Sequence, residues 1–227
     1  MCSVKRFLLT LLFALSNVAA AQTLTRVADG GYWRASPVVS NGVLFMLIPG
    51  GLVPPNAYAF IAEHLAGRGV TTIIPEVPFG IAFADFNKPE RIRLALEAGG
   101  ERFNKVVYGG HSLGGAMAGL VTGFGARVDG LVLMAAFPAV NCNQLEIPTL
   151  TIAAELDGLI SVQRIRDSLA QLPKNTRLEV IAGGVHAFFG RYGVQARDGT
   201  PTIAREVFEA RLLELLDRFM VQFAARG

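Results

Sequence analysis

The chain has 227 residues, 52% of them hydrophobic and 17% charged, which is enough apolar material for a substantial core and suits one domain. Its formal charge of +3 loses the 2 charges of Lys5 and Arg6 to leave +1 over residues 22–227, and the other arginines are scattered rather than gathered into a stripe, which excludes nucleic-acid binding as the main role. The two cysteines and three histidines show no metal-ligand spacing, so no metal is expected.

Residues 1–21 are predicted to be a signal peptide. Lys5-Arg6 is a charged n-region, Phe7 to Leu15 an apolar h-region, and Val18-Ala19-Ala20-Ala21 a small-residue cleavage site before Gln22. The apolar run is too short for a comfortable membrane span, with an uncleaved N-terminal anchor as the alternative, and no later segment is long and apolar enough to cross a bilayer. The expectation is a secreted or periplasmic protein, off the membrane once the signal is removed, with residues 22–227 as one domain. Such a chain keeps Cys142 alone and forms no internal disulfide; the thiol is read as a small, half-buried group in a loop rather than a reactive or intermolecularly paired one.

Residues 24–39, with Tyr32 and Trp33, are read as antiparallel edge strands. From there apolar runs alternate with helical patterns: strand Val43–Ile48, helix 56–66, strand 70–74, helix 89–97, strand 105–108, helix Leu113–Gly123, strands Gly130–Met134 and 148–153, helix 161–172, strand 177–181 and a closing helical segment over 203–225. Most strand runs are continuously apolar, as in strands covered on both faces. The alternation predicts an α/β fold with a doubly wound, mostly parallel sheet, without repeats or an interdomain linker.

Ligands of such sheets bind beyond the carboxyl ends of the strands, which makes the polar residues there candidates. Strand 105–108 runs into Gly110-His111-Ser112-Leu113-Gly114 and then a helix of small residues. A turn this sharp strains the serine backbone and admits only glycine-sized neighbours. It lifts the Ser112 hydroxyl clear of the sheet as a nucleophile and aims the Leu113 N–H at the place where a substrate oxyanion would form; a glycine-rich structural turn is the plain alternative. Strand 148–153 leads to Glu155-Leu156-Asp157-Gly158, and strand 177–181 to Ala182-Gly183-Gly184-Val185-His186. Ser112, Asp157 and His186 thus stand at three strand tips in the order nucleophile, acid, base. A serine hydroxyl is a poor nucleophile until an imidazole can take its proton, and a carboxylate fixes that imidazole's tautomer.

Rivals are few. His64 falls within a helix and His111 is the elbow's variable residue, pointing away from the nucleophile, which leaves His186 as base. Glu155 competes with Asp157 but could instead brace the acid loop, and Gly158 suits a tight turn projecting Asp157. Asp129 precedes a strand and lies at the wrong edge; Asp85 is in a loop with no fixed partner. Pro49-Gly50-Gly51-Leu52 follows strand Val43–Ile48, so Gly51 and Leu52 are the candidates for a second oxyanion donor. Phe79, Phe83 and Phe86, with Phe188 and Phe189, could line an apolar substrate pocket or simply pack in the core.

Over almost all of residues 22–227 the chain resembles the alpha/beta hydrolases. Within that superfamily it resembles a compact subgroup near the dienelactone-hydrolase-like enzymes, through Pro49-Gly50-Gly51-Leu52-Val53 with Ala57-Tyr58-Ala59, through Gly110-His111-Ser112-Leu113-Gly114-Gly115-Ala116, and through Gly183-Gly184-Val185-His186-Ala187-Phe188-Phe189-Gly190-Arg191-Tyr192-Gly193. The resemblance implies that His186 is the triad base and that the 188–199 loop belongs to the site region. Two departures matter: Ser112 stands where dienelactone hydrolases carry Cys, which argues against lactones, and Val185 stands where the subgroup carries Asn. Only residues 135–147 separate strand Gly130–Met134 from the next, too few for a cap domain, so an open site for small or exposed esters is expected. The implied reaction is carboxylic ester hydrolysis through an acyl-enzyme, with a small-molecule ester as partner and no cofactor. A non-catalytic binding protein on the same fold, and acyl transfer or amide cleavage by the same residues, are the alternatives. The oligomeric state has no signal in the sequence.

Overall fold

The computed structural model describes residues 23–224, and the expected signal peptide at residues 1–21 lies outside them. The strands are β1 (Thr25–Val27), β2 (Tyr32–Ala35), β3 (Val43–Ile48), β4 (Thr71–Pro75), β5 (Lys105–His111), β6 (Gly130–Met134), β7 (Thr149–Ala154) and β8 (Thr176–Ile181). The α-helices are α1 (Ala59–Gly67), α2 (Lys88–Ala98), α3 (Leu113–Gly123), α4 (Val162–Ser168) and α5 (Arg205–Met220). They form one sheet of order β1-β2-β4-β3-β5-β6-β7-β8. The β1–β2 and β2–β4 pairs are antiparallel and every other pair is parallel. The sheet is therefore the doubly wound, mostly parallel one that the alternation predicts, with the antiparallel edge in residues 24–39.

All six residues of β3 are buried because the strand is covered on both faces. Val43, Phe45 and Leu47 pack with Ile61 and Leu65 of α1 and Phe208, Leu212 and Leu216 of α5. Leu44, Met46 and Ile48 pack on the other side with Ile92 of α2 and Met117, Leu120 and Val121 of α3. Truncating a fully buried aromatic here, Phe45 or Phe208, removes about 3–5 kcal/mol of stability. After β3 the chain moves outward through α1 to β4, then crosses back through α2 to β5 on the other side of β3. This reversal opens a crevice at the carboxyl ends of β3 and β5, where the Pro49-Gly50-Gly51 loop and Ser112 follow their strands.

The helix over 161–172 is shorter than its pattern: Ser161 caps α4 by accepting the Arg164 N–H at 3.2 Å, and the chain tightens into a 3₁₀ turn at Leu169–Gln171. Residues 135–148 join β6 to β7 without a helix, so among the described residues no cap domain covers the sheet. Cys142 in this connection is not half-buried but fully buried, with its thiol donating to the Gly119 carbonyl at 3.3 Å. Burial pushes the thiol up to about 11. A chain beginning at Gln22 is therefore expected to give no reaction with a chromogenic disulfide reagent at pH 8 when native and one equivalent when denatured; a fast native reaction would contradict this burial.

Candidate active site

The nucleophile elbow is built from the meeting of β5 and α3. Ser112 has φ 54 and ψ −123, a region costing a non-glycine residue about 1–3 kcal/mol. Its backbone is pinned by donation of the Ser112 N–H to the Met134 carbonyl at 2.9 Å and by acceptance from Ala116 at 3.1 Å. The glycines on either side are required by contact: a Cβ on Gly110 would lie 2.5 Å from the Gly114 carbonyl oxygen and 2.6 Å from the Gly115 nitrogen. Leu113 opens α3, so its N–H has no intrahelical acceptor. Gly51 lies against it, since a Cβ there would sit 3.4 Å from Leu113 Cδ2. Among the described residues neither N–H has a protein acceptor. Leu52 is different: its N–H donates to the Gly80 carbonyl at 2.7 Å and is committed there. Of the two sequence candidates, Gly51 alone leaves a free donor.

The loops carrying Asp157 and His186 are zipped together residue by residue beyond the ends of β7 and β8. Glu155 Oε2 accepts the Gly183 N–H at 2.8 Å, which is the bracing role weighed for it. The Leu156 N–H donates to the Gly184 carbonyl at 2.9 Å. Asp157 Oδ2 meets His186 Nδ1 at 2.7 Å, with both side chains almost fully buried. The other oxygen, Oδ1, accepts the N–H groups of Leu159 at 2.8 Å and Ile160 at 2.7 Å, so the carboxylate cannot rotate away. This partnership directs the imidazole to hold its proton on Nδ1 and leaves Nε2 able to accept one. Among the described residues Ser112 Oγ makes no hydrogen bond to His186; contacts of this kind are often long before substrate binds and tighten in the reacting complex.

His111, read from the sequence only as the variable elbow residue, packs its ring centroid 4.6 Å from that of His186 and 5.5 Å from Phe189. The Tyr58 hydroxyl accepts the Gly50 N–H at 2.9 Å and stands 3.0 Å from His111 Nδ1, which fits donation to that nitrogen and ties the Gly50-Gly51 loop to the elbow. Burial first, and then the neighbouring His186, hold His111 well below the usual imidazole range, so it stays neutral.

The remaining candidate residues are placed as follows by the packing, with Asp129 and His64 where the sequence reading puts them. Phe188 and Phe189 pack toward α5: Phe189 is fully buried edge-on to Phe208 at 4.9 Å, and the partly buried Phe188 packs on Phe208 at 5.7 Å beneath the Arg205 guanidinium at 4.4 Å. Their aromatic surface is more stable against the core than beside an open site. Phe79 and Phe83 are instead 88% and 66% exposed, on the loop whose Gly80 holds Leu52. Asp85 has a fixed partner, the Arg91 guanidinium, which accounts for its carboxyl lying below the usual range. Asp129 accepts the Val106 N–H at 2.9 Å and pairs with Lys105, a structural role at the opposite edge. His64 is held by Asp217 at 2.9 Å.

The fold is shared with solved structures at low sequence identity. Thermogutta terrifontis esterase 2 phosphorylated by paraoxon is 17% identical, with a TM-score of 0.62 over 86% of this chain and 90% of that one. A predicted CIB-like hydrolase from Thermoplasma acidophilum is 19% identical, with a TM-score of 0.60 over 82% and 91%. An alpha-beta serine hydrolase homologue from Coxiella burnetii is 16% identical, with a TM-score of 0.63 over 87% and 95%. No curated protein matches the sequence. The model of one family, described as the alpha/beta hydrolase family, matches residues 44–209, a span that runs from β3 through the elbow and both zipped loops into α5. By that match the chain belongs to the alpha/beta hydrolase family.

Proposed function

We propose that the protein is an exported serine hydrolase that cleaves carboxylic esters. The observation that carries this reading is the buried Asp157–His186 pair at 2.7 Å beside an elbow that holds Ser112 at φ 54. Neither feature serves a binding module: the elbow costs backbone strain, and the pair organises a base. A structural neighbour that is an esterase phosphorylated by paraoxon adds support, because an organophosphate reacts with an activated nucleophile.

In this reading Ser112 Oγ attacks the ester carbonyl carbon as His186 Nε2 takes the hydroxyl proton. Asp157 stabilises the imidazolium through the Nδ1–H bond. The carbonyl oxygen, now carrying the electron pair, is met by the N–H groups of Leu113 and Gly51, donors that need no reorganisation. Collapse of the tetrahedral adduct breaks the bond to the alcohol oxygen, which leaves with the proton from His186. Water, deprotonated by His186, then attacks the acyl-enzyme and releases the acid, restoring Ser112. Without a cap domain the crevice suits small or externally presented esters. Leu52 and Phe79, 77% and 88% exposed, offer apolar surface at its rim for an acyl or aryl group.

The test is labelling of the purified protein with a fluorophosphonate probe, alongside turnover of short-chain nitrophenyl esters. One equivalent of label on the wild type, none on Ser112→Ala, and turnover lost with it are expected. A folded wild type that neither labels nor turns over esters would overturn the reading in favour of a binding role.

A further inference from the structure

Asp198 lies forty residues beyond Gly158 and twelve beyond His186, yet its carboxylate touches both loops. Oδ1 accepts the N–H of Gly158 at 3.2 Å, of His186 at 3.1 Å and of Gly199 at 2.8 Å, and Oδ2 accepts the N–H of Ala187 at 2.8 Å. Gly158 is the neighbour of the acid. His186 and Ala187 open the 3₁₀ turn His186–Phe189 that carries the base, so one carboxylate caps that turn and clips it to the acid loop.

The surrounding chain is shaped for this contact. Arg197, immediately before, has φ 66, and a Cβ on Gly158 would lie 2.8 Å from both Asp198 C and Gly199 N. The strained turn thus reaches backbone-to-backbone contact with the acid loop. Arg205 holds the same turn from the other side, donating to the Ala187 carbonyl at 3.3 Å and, just past the turn's carboxyl end, to the Gly190 carbonyl at 3.1 Å. An anionic acceptor at the amino end and a cationic donor at the carboxyl end match the dipole of the turn.

We infer that Asp198 is a positioning residue, whose carboxylate, bonded to N–H groups on both loops, sets the pose of His186 against Asp157. This rests on the serine hydrolase reading. Asparagine cannot replace it, because an amide keeps one acceptor oxygen and turns its NH2 toward a backbone N–H. The proposal separates from a merely structural role by what it moves. A structural clip would lower the melting temperature and leave the folded enzyme's kcat alone. A positioning residue lowers kcat in the folded enzyme.

Asp198→Asn and Asp198→Ala are to be compared with wild type and with Asp217→Asn, a change at the His64 pair away from the crevice. Both Asp198 variants are expected to lose about 10- to 100-fold in kcat with KM within about twofold, and to label with fluorophosphonate correspondingly more slowly. The low-field proton resonance of the His186 Nδ1–H, which reports the Asp157 contact without any substrate, is expected to broaden or vanish in them and persist in Asp217→Asn. Folded Asp198 variants with wild-type kcat and an intact resonance would overturn the proposal. Should the wild type neither label nor turn over esters, the hydrolase reading fails separately, and the resonance still decides: persistence in Asp198→Asn overturns the positioning role. If Asp198→Ala does not fold, Asp198→Asn, which keeps the shape, carries the test.

Discussion

Asp157→Asn is expected to lower kcat for ester hydrolysis about 10⁴-fold with little change in KM or melting temperature. The direction follows from the two ends of this side chain. Oδ1 accepts the N–H groups of Leu159 and Ile160 at 2.8 and 2.7 Å, and only an oxygen can stay there. The introduced NH2 must then face His186 Nδ1 and donate to it, which forces the imidazole proton onto Nε2. A protonated Nε2 cannot take the Ser112 proton, so the base is lost while the fold keeps its hydrogen bonds. Steady-state kinetics with thermal melts measure both halves of the prediction. A loss under about tenfold in a folded variant would remove Asp157 from the acid role. Glu155 is the control, since its carboxylate accepts the Gly183 N–H at 2.8 Å and reaches the site only through the backbone.

Gly114→Ala is expected to damage both stability and activity, although it adds a single methyl group. Its Cβ would lie 2.7 Å from the Ile48 carbonyl carbon and closer still to the carbonyl oxygens of Ile48 and Pro49, all backbone atoms at the end of β3. No rotamer relieves such a contact, so α3 must move away from the oxyanion loop, separating Leu113 from Gly51. Overpacking of this kind costs about 3 kcal/mol, near 6–12 °C in melting temperature for a chain of this size. Displacement of the donors by even 1 Å lowers kcat about 100-fold in whatever remains folded. Gly125→Ala, where a Cβ meets nothing within 4 Å but φ is +91, isolates the conformational cost from the steric one and is expected to leave kcat unchanged. Equal melting temperatures for wild type and Gly114→Ala would contradict this account of the elbow.

The elements that were legible in the sequence are those whose signal is local. Strand Val43–Ile48 is an unbroken apolar run because both of its faces are covered, and Gly130–Met134 is read the same way. The elbow is legible because strand, Gly-x-Ser-x-Gly and helix adjoin within a dozen residues. Asp157 and His186 are legible as polar residues in the loops that follow β7 and β8. Helix ends were less so: α4 stops at Ser168 although the apolar spacing runs on, because the last turn tightens to 3₁₀.

Composition and periodicity by themselves determined the fold class, the order of its elements and the residues standing at each strand tip, because these depend on contacts between near neighbours in the chain. Tertiary structure decided what the same residues touch. Leu52 and Gly51 are equivalent as letters, but a carbonyl at Gly80 takes the N–H of one and leaves the other free. Phe188 and Phe189 read equally as pocket or core residues, and it is the packing that sets both rings against Phe208 on α5. Asp198 carries no motif, and its role arises only where a turn folds back across forty residues to Gly158. Hydrogen-bond donors and apolar faces are satisfied by whichever partner packing brings within reach, and that partner is not written beside them in the chain.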